Sequence, residues 1–144
     1  RDGSTVWKRK LASSNGMDCG YPAAHDGVFV VGAKTGKNPI SPGGNVEVHG
    51  LSAATGEELW RFELSMPVWN FSPLFARNGT VAFMDFQGGM YNLGLHDGAL
   101  RWHTPVPGAA KSFSDGGAVL GPLDDAFSCS NPGDGRGGEG TRGL

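Results

Sequence analysis

The chain of 144 residues carries 12 lysines and arginines against 14 aspartates and glutamates, a formal net charge of −2. Without a basic excess it lacks the stripe of cations that a phosphate backbone attracts, which argues against a nucleic-acid partner. It also lacks an apolar run of the ~18 residues that a membrane-spanning helix needs, and its 25 glycines and 9 prolines are typical of a chain that turns often.

Short runs of β-branched and aromatic residues, separated by turn signals such as Asp26-Gly27 and Asn78-Gly79, predict an all-β chain. No window keeps the apolar spacing of an amphipathic helix, so we expect no helix longer than two turns. The predicted strands, in chain order, are Thr5–Leu11, Tyr21–Ala24, Val28–Gly32, Val46–Leu51, Leu59–Leu64, Ser72–Ala76, Thr80–Asp85, Met90–Leu95, Leu100–Thr104, Ala118–Leu120 and Ala126–Cys129.

A Gly-x-x-x-Trp pattern occurs three times and ends at Trp7, Trp60 and Trp102. The last two copies begin at Gly56 and Gly98, 42 residues apart. A period in the forties built from short strands is typical of the blades of a β-propeller. We therefore predict a partial β-propeller of about three four-stranded antiparallel blades.

The repeated tryptophans are expected to fill the space between neighbouring sheets, since a buried indole removes about 150–250 Å² of surface from water. Trp60 and Trp102 should be buried at equivalent places, near Leu51 and Leu93. Trp7 should be more exposed, because most of its own blade is absent from the sequence.

From the repeats we expect the chain to form one partial propeller that is cut in mid-repeat at both ends, with any targeting signal outside it. The predicted segments are 1–11 (end of a first blade), 12–64 (a blade with an insertion loop at 33–44), 65–104 (a blade) and 105–144 (an incomplete last blade with a glycine-rich loop at 130–143).

The two long loops occupy matching positions in their blades, and insertions at one topological position fall on one face of a repeat array, often the binding face. The alternative, on which the sequence does not decide, is that both loops are solvated and contact no partner. If the face binds a partner, the residues expected to contact it are Lys34, Lys37, Asn38, Arg136, Glu139 and Arg142. The unpaired first and last strands are expected to contact partners as well, because their edges expose backbone hydrogen-bonding groups.

The stretch Ser52–Trp60, together with the Ser-Pro and Asn-Gly signals that recur in the repeat, resembles the quinoprotein-type (PQQ-like) propeller repeat, a WD40-like blade architecture. That family includes quinone-dependent alcohol dehydrogenases and also cofactor-free propellers such as outer-membrane assembly lipoproteins. The resemblance favours a secreted or periplasmic compartment, or an organelle lumen.

Residues that would carry quinone chemistry are missing. Family dehydrogenases show adjacent paired cysteines and acidic residues around calcium, whereas Cys19 and Cys129 are far apart in sequence. The cysteines are interpreted as small buried hydrophobes, with a disulfide between them left open. The histidines show no metal-ligand spacing, and packing is the expected role of His49, which aligns with Tyr91 of the next repeat.

The sequence therefore predicts no catalytic, cofactor-binding or metal-binding residue. The first hypothesis is a non-catalytic propeller that acts as a protein-binding scaffold or as an accessory subunit of a larger assembly. Two alternatives remain open: a fragment of a quinone- and calcium-dependent dehydrogenase, which would bring PQQ and calcium as cofactors, and a peripheral subunit of a photosynthetic (photosystem) or respiratory membrane complex.

Overall fold

The structure, a computed structural model, describes residues 2–12, 20–35, 43–105, 118–121 and 126–128. Within these ranges the chain is all-β and contains no helix, as the sequence predicts. The strands are β1 (Ala23–His25), β2 (Val28–Thr35), β3 (Asn45–Ser52), β4 (Glu58–Val68), β5 (Leu74–Ala76), β6 (Thr80–Met84), β7 (Met90–Gly94), β8 (Leu100–Thr104), β9 (Ala118–Leu120) and β10 (Ala126–Ser128).

The strands form two four-stranded antiparallel meanders and one hairpin. The first sheet has the order β1-β2-β3-β4, the second sheet the order β5-β6-β7-β8, and β9 pairs with β10. Sequential antiparallel pairing is what short Gly-containing turns between consecutive strands favour. Two such sheets are the blades of a partial β-propeller, so the predicted fold class is confirmed.

The prediction of a strand at Thr5–Leu11 is wrong, because residues 2–11 form no ladder with any described strand. The segment instead lies against the first sheet through side chains. Trp7 Nε1 donates to the carbonyl oxygen of Ala53 at 3.0 Å, and Arg9 donates to the carbonyl oxygen of Gly56 at 3.2 Å. Trp7 also meets Phe29 of β2 edge-to-face, at 5.9 Å between ring centroids.

The main core lies between the first and second sheets. Because side chains alternate across a strand, β2 and β3 direct Val30 and Val48 towards this interface, where they meet Val81 and Phe83 of β6. The buried members of this core are Val28, Val30, Val48, Trp60, Leu64, Val68, Phe71, Val81, Phe83, Tyr91, Leu93 and Leu95. A second cluster on the far side of the second sheet packs Ala82, Met84 and Met90 against Trp102 and Leu120.

The repeated tryptophans are not buried to the same extent. Trp60 is 7 % exposed, as predicted, whereas Trp102 is half-buried and so departs from the prediction. Trp102 and Leu120 of β9 both pack on the cluster of Ala82, Met84 and Met90, and the described part of the third unit comprises only β9, β10 and residue 121. Trp7 is also half-buried, hence more exposed than Trp60.

The predicted neighbours of Trp60 are only half correct. Leu93 shares the inter-sheet core with Trp60. Leu51 is buried too, but it pairs with Phe29, and therefore lies on the opposite face of the first sheet, the face that residues 2–11 approach. Trp7 and Trp60 each pack on the sheet that follows them in the chain, which the repeat alignment alone does not indicate.

The meander topology gives the two sheets a turn end and a loop end. At the turn end lie the short β1–β2, β3–β4, β5–β6 and β7–β8 connections, whose glycines Gly27, Gly56, Gly79 and Gly98 all have positive φ. At the loop end lie residues 43–44, which lead into β3, residues 85–89 between β6 and β7, and residues 69–73 between the two sheets.

Candidate protein-binding face

Only one of the six predicted partner-binding residues lies in the described part of the chain. Lys37, Asn38, Arg136, Glu139 and Arg142 lie outside the described residues. Lys34 is described, and it lies within strand β2 rather than in a loop, because β2 continues pairing as far as Thr35 opposite Asn45. The insertion between β2 and β3 is therefore shorter than the predicted 33–44.

Lys34 is engaged with the sheet that carries it. Its Nζ lies 2.6 Å from Glu47 Oε1 and 3.7 Å from Glu63 Oε1. The Glu47 side chain is only 3 % exposed, and the hydrogen bond from Lys34 holds the pKa of Glu47 below its ordinary value despite burial. The Lys34 ammonium thus serves first to compensate a buried carboxylate.

His49 is buried as expected, but in an ionic setting that the sequence did not predict. Its Nδ1 lies 3.0 Å from Glu58 Oε2 and its Nε2 lies 3.3 Å from Glu47 Oε2. Arg9 approaches the same Glu58 oxygen at 3.9 Å. The alternation of Glu47 and His49 along β3 was the available signal, since it places both side chains on one face.

This cluster does not make a metal centre. Among the residues that the structure describes, no three His, Cys, Asp or Glu side chains converge as metal ligands. The two carboxylates instead lie at opposite nitrogens of one imidazole, an arrangement that links β3 and β4 and draws residues 2–11 towards the first sheet through Arg9.

The exit of the insertion is fixed against the end of β4. Gly44 has a φ of +88°, and a Cβ at this position would lie 2.8 Å from the carbonyl oxygen of Val68 and 3.1 Å from Cβ of Pro67. A glycine is therefore required both by the backbone conformation and by the close approach. The insertion returns to the sheet directly beside the crossing to the second sheet.

An aromatic pair lies at that crossing. The rings of Trp69 and Phe86 are 5.8 Å apart and tilted by 53°, and the amide of Phe86 donates to the carbonyl oxygen of Pro67 at 2.8 Å. Both aromatic side chains are half-buried. The neighbouring Asn70 has a φ of +50°, an uncommon conformation for a residue with a side chain. We call residues 67–70 and 85–87 the aromatic ledge.

Asp85 shapes the second half of the aromatic ledge. Its Oδ1 accepts hydrogen bonds from the amides of Gln87 at 2.9 Å and Gly89 at 2.8 Å, which closes the turn that holds Phe86 and Gln87. The side chain is buried, and this burial raises the pKa of Asp85 to about 6 although the amides favour its charged form.

Below the ledge, Tyr91 connects the two sheets. Its ring stacks on His103 at 3.9 Å and on Phe83 at 5.4 Å between centroids. The Tyr91 hydroxyl lies 2.9 Å from Ser65 Oγ of β4. Burial raises the pKa of Tyr91 and lowers the pKa of His103, so burial favours the neutral form of both rings.

Comparison with known proteins decides the family. The model of the family described as outer membrane protein assembly factor BamB matches residues 1–131. The chain belongs to this family of PQQ-like propellers. The resemblance to PQQ-like propeller repeats stated from the sequence is thereby confirmed.

A solved member of the family shows the same fold. The crystal structure of BamB from Moraxella catarrhalis superposes with a TM-score of 0.50 at 18 % identity, over 89 % of this chain and 38 % of that one. The chain thus spans less than half the length of the solved family member. No curated protein matches the sequence. Within the described residues, no helix is long and apolar enough to cross a membrane.

Proposed function

We propose that the chain is part of a non-catalytic propeller that binds protein partners during the assembly of outer membrane proteins, in the periplasm, and that it does so without a cofactor. The family name carries the assembly role to this chain as a hypothesis. The observation that supports binding at a particular place is the difference between the two ends of the sheets.

The turn end consists of tight hairpins. Its connections close within a few residues on glycines of positive φ, and none of them contains a Trp, Tyr or Phe side chain. The loop end carries the insertion and, beside it, the aromatic ledge.

The aromatic ledge suits protein recognition. Trp69 and Phe86 are partly accessible, and the backbone around Phe86 is fixed by its hydrogen bond to the Pro67 carbonyl and by the Asp85 turn. Aromatic side chains held rigidly at a surface bind partners at low entropic cost, and they are enriched among the residues that dominate interface energies.

The outer edges are less suited to a partner. Bulges interrupt the pairing of β4 with β3 at Gly50/Leu51, and of β8 with β7 at Asn92/Leu93. Bulges on edge strands disfavour the addition of another strand. We therefore place partner contacts on the loop end rather than along β4 or β8.

Site-specific photo-crosslinking tests this proposal. A photoreactive residue at position 87 of the full-length protein should crosslink to an outer-membrane assembly protein purified from the same organism. The same residue at position 55, exposed at the turn end, is the matched control. Equal crosslinking from both positions, or none from position 87, would contradict the proposal.

A further inference from the structure

The hairpin turn between β5 and β6 contains a carboxamide that accepts a hydrogen bond from a buried hydroxyl group. Asn78 is exposed and precedes Gly79. Its Oδ1 accepts a hydrogen bond from the hydroxyl of Thr80 at 2.7 Å. Thr80 is 7 % exposed, and its Oγ1 accepts in turn from Nδ2 of Asn92 at 2.9 Å.

This chain of hydrogen bonds fixes the direction of the Thr80 hydroxyl proton. Because Asn92 donates to Thr80 Oγ1, the hydroxyl is free to donate its own proton, and it does so to the Asn78 carboxamide oxygen. A donor aimed at a carbonyl oxygen withdraws electron density from the carbonyl carbon and stabilises the negative charge that develops on the oxygen when a nucleophile adds.

The nucleophile is the backbone nitrogen of Gly79. A glycine leaves that nitrogen unhindered, and no described atom outside residues 78–80 lies within 4 Å of the place where a Cβ would be. Its amide donates to the carbonyl oxygen of Ala76 at 3.2 Å, which is the long limit for such a bond. Opening this one weak bond releases the nitrogen.

We propose that Asn78 is a site of intramolecular deamidation and that Thr80 promotes it. The Gly79 nitrogen, having lost its proton to water, adds to Asn78 Cγ, and the charge that forms on Oδ1 is held by the Thr80 hydroxyl. The Cγ–Nδ2 bond then breaks, and Nδ2 leaves as ammonia with a proton from water. Water opens the resulting five-membered imide to aspartate or isoaspartate.

The modification places a carboxylate at the turn end, remote from the aromatic ledge, so it is independent of the proposed binding function. Asn70 is the internal control in the same chain. It precedes Phe71, which is 1 % exposed, so a bulky buried side chain hinders the nitrogen that would attack.

The test follows the mass gain of about 1 Da on the peptide that contains Asn78 during incubation of the folded protein at mildly alkaline pH. Thr80→Val keeps the shape but removes the hydroxyl, and Thr80→Ser restores it. We expect Thr80→Val to slow deamidation about tenfold, less than the ~10²–10³-fold loss for one donor in a water-excluded oxyanion site. Thr80→Ser should react close to the original rate, and Asn70 should stay unchanged.

Deamidation rates of the same proteins in denaturant distinguish an effect of the folded structure from an effect of the local sequence. There the parent and the two Thr80 variants should react equally, because the directed hydroxyl is lost. An unmodified Asn78 in the folded protein, equal rates for folded Thr80→Val and Thr80→Ser, or a difference that persists in denaturant would overturn the proposal. If circular dichroism shows that Thr80→Val does not fold, Asn92→Ala takes its place, and an unchanged rate in that variant overturns the proposal as well.

Discussion

The indole of Trp60 lies between two glycines, Gly50 of its own sheet and Gly98 of the next. A Cβ built on Gly98 would lie 2.6 Å from the Trp60 ring, and one on Gly50 would overlap it. The indole Nε1 donates to the carbonyl oxygen of Leu95 at 2.7 Å. Trp7 repeats the arrangement on Gly56 and Ala53, so each tryptophan joins its own repeat to the following turn.

Truncation of the buried tryptophan should show how much this junction contributes. Trp60→Ala is expected to lower the free energy of unfolding by about 3–5 kcal/mol, from lost burial and the cavity that remains. Trp7→Ala should cost less, because Trp7 is half-buried. Urea unfolding followed by far-ultraviolet circular dichroism measures both. An equal loss in the two variants would contradict the inter-sheet role of Trp60.

Glycine substitutions separate backbone strain from the docking contact. Gly98 and Gly79 have φ values of +64° and +78°, so alanine should cost about 1–2 kcal/mol of strain at either position. Only at Gly98 would the new Cβ also collide with Trp60. Gly98→Ala should therefore be clearly more destabilising than Gly79→Ala, as judged from their urea midpoints. Equal midpoints would show that the indole moves away without cost.

Asp85 should make stability fall as the pH rises. Burial raises its folded-state pKa from 3.8 to about 6, so the native state binds the proton more tightly than the unfolded chain. The contribution is complete below pH 3.8 and is lost as the pH passes about 6, a change of roughly 2–3 kcal/mol. Asp85→Asn, which keeps Oδ1 as an acceptor, should remove this slope in a series of unfolding curves.

The exposed Asp97 is the control for that experiment. Its pKa is lowered, chiefly by the amide of Ala99, so its contribution has the opposite sign and is lost as the pH falls. Asp97→Asn should leave the slope that belongs to Asp85 in place. If the pH dependence of stability is unchanged in Asp85→Asn, it belongs to another titratable group.

Replacement of Lys34 should destabilise the protein mainly at pH values above the folded-state pKa of Glu47. The ammonium holds the pKa of Glu47 below its ordinary value of 4.5, so this stabilisation is present at neutral pH and disappears as the pH falls through the folded-state pKa. Lys34→Met should therefore differ from the parent at neutral pH and converge with it in acid, whereas Lys34→Arg should follow the parent. Thermal unfolding across this pH range is the measurement, and a constant difference would contradict the ionic explanation.

Replacement of the insertion should separate folding from binding. The second sheet joins β6 to β7 with the five residues Asp85–Gly89, so grafting that sequence in place of residues 36–44 should leave the circular dichroism spectrum and the urea midpoint nearly unchanged. Crosslinking from position 87 should weaken if the insertion contributes to the binding face. Loss of folding would show instead that the insertion is structural.

Most strands and the fold class could be predicted from local features of the sequence. Turn glycines and alternating apolar residues act locally, and the 42-residue spacing from Trp60 to Trp102 records a repeated packing need, so β2 to β8 could be predicted close to their observed bounds. Thr5–Leu11 carried the same local signals but forms no described strand, because a ladder also requires a partner strand beside it.

Tertiary structure decided what those strands place together. The register and stacking of the two sheets decide which sheet Trp60 packs on. They also bring His49 between Glu47 and Glu58, and Trp69 beside Phe86. Such contacts join residues that lie in different strands or different sheets, so no local propensity encodes them. Lys34 shows the difference most directly: its charge is evident in the sequence, but only the fold brings the buried Glu47 carboxylate to it.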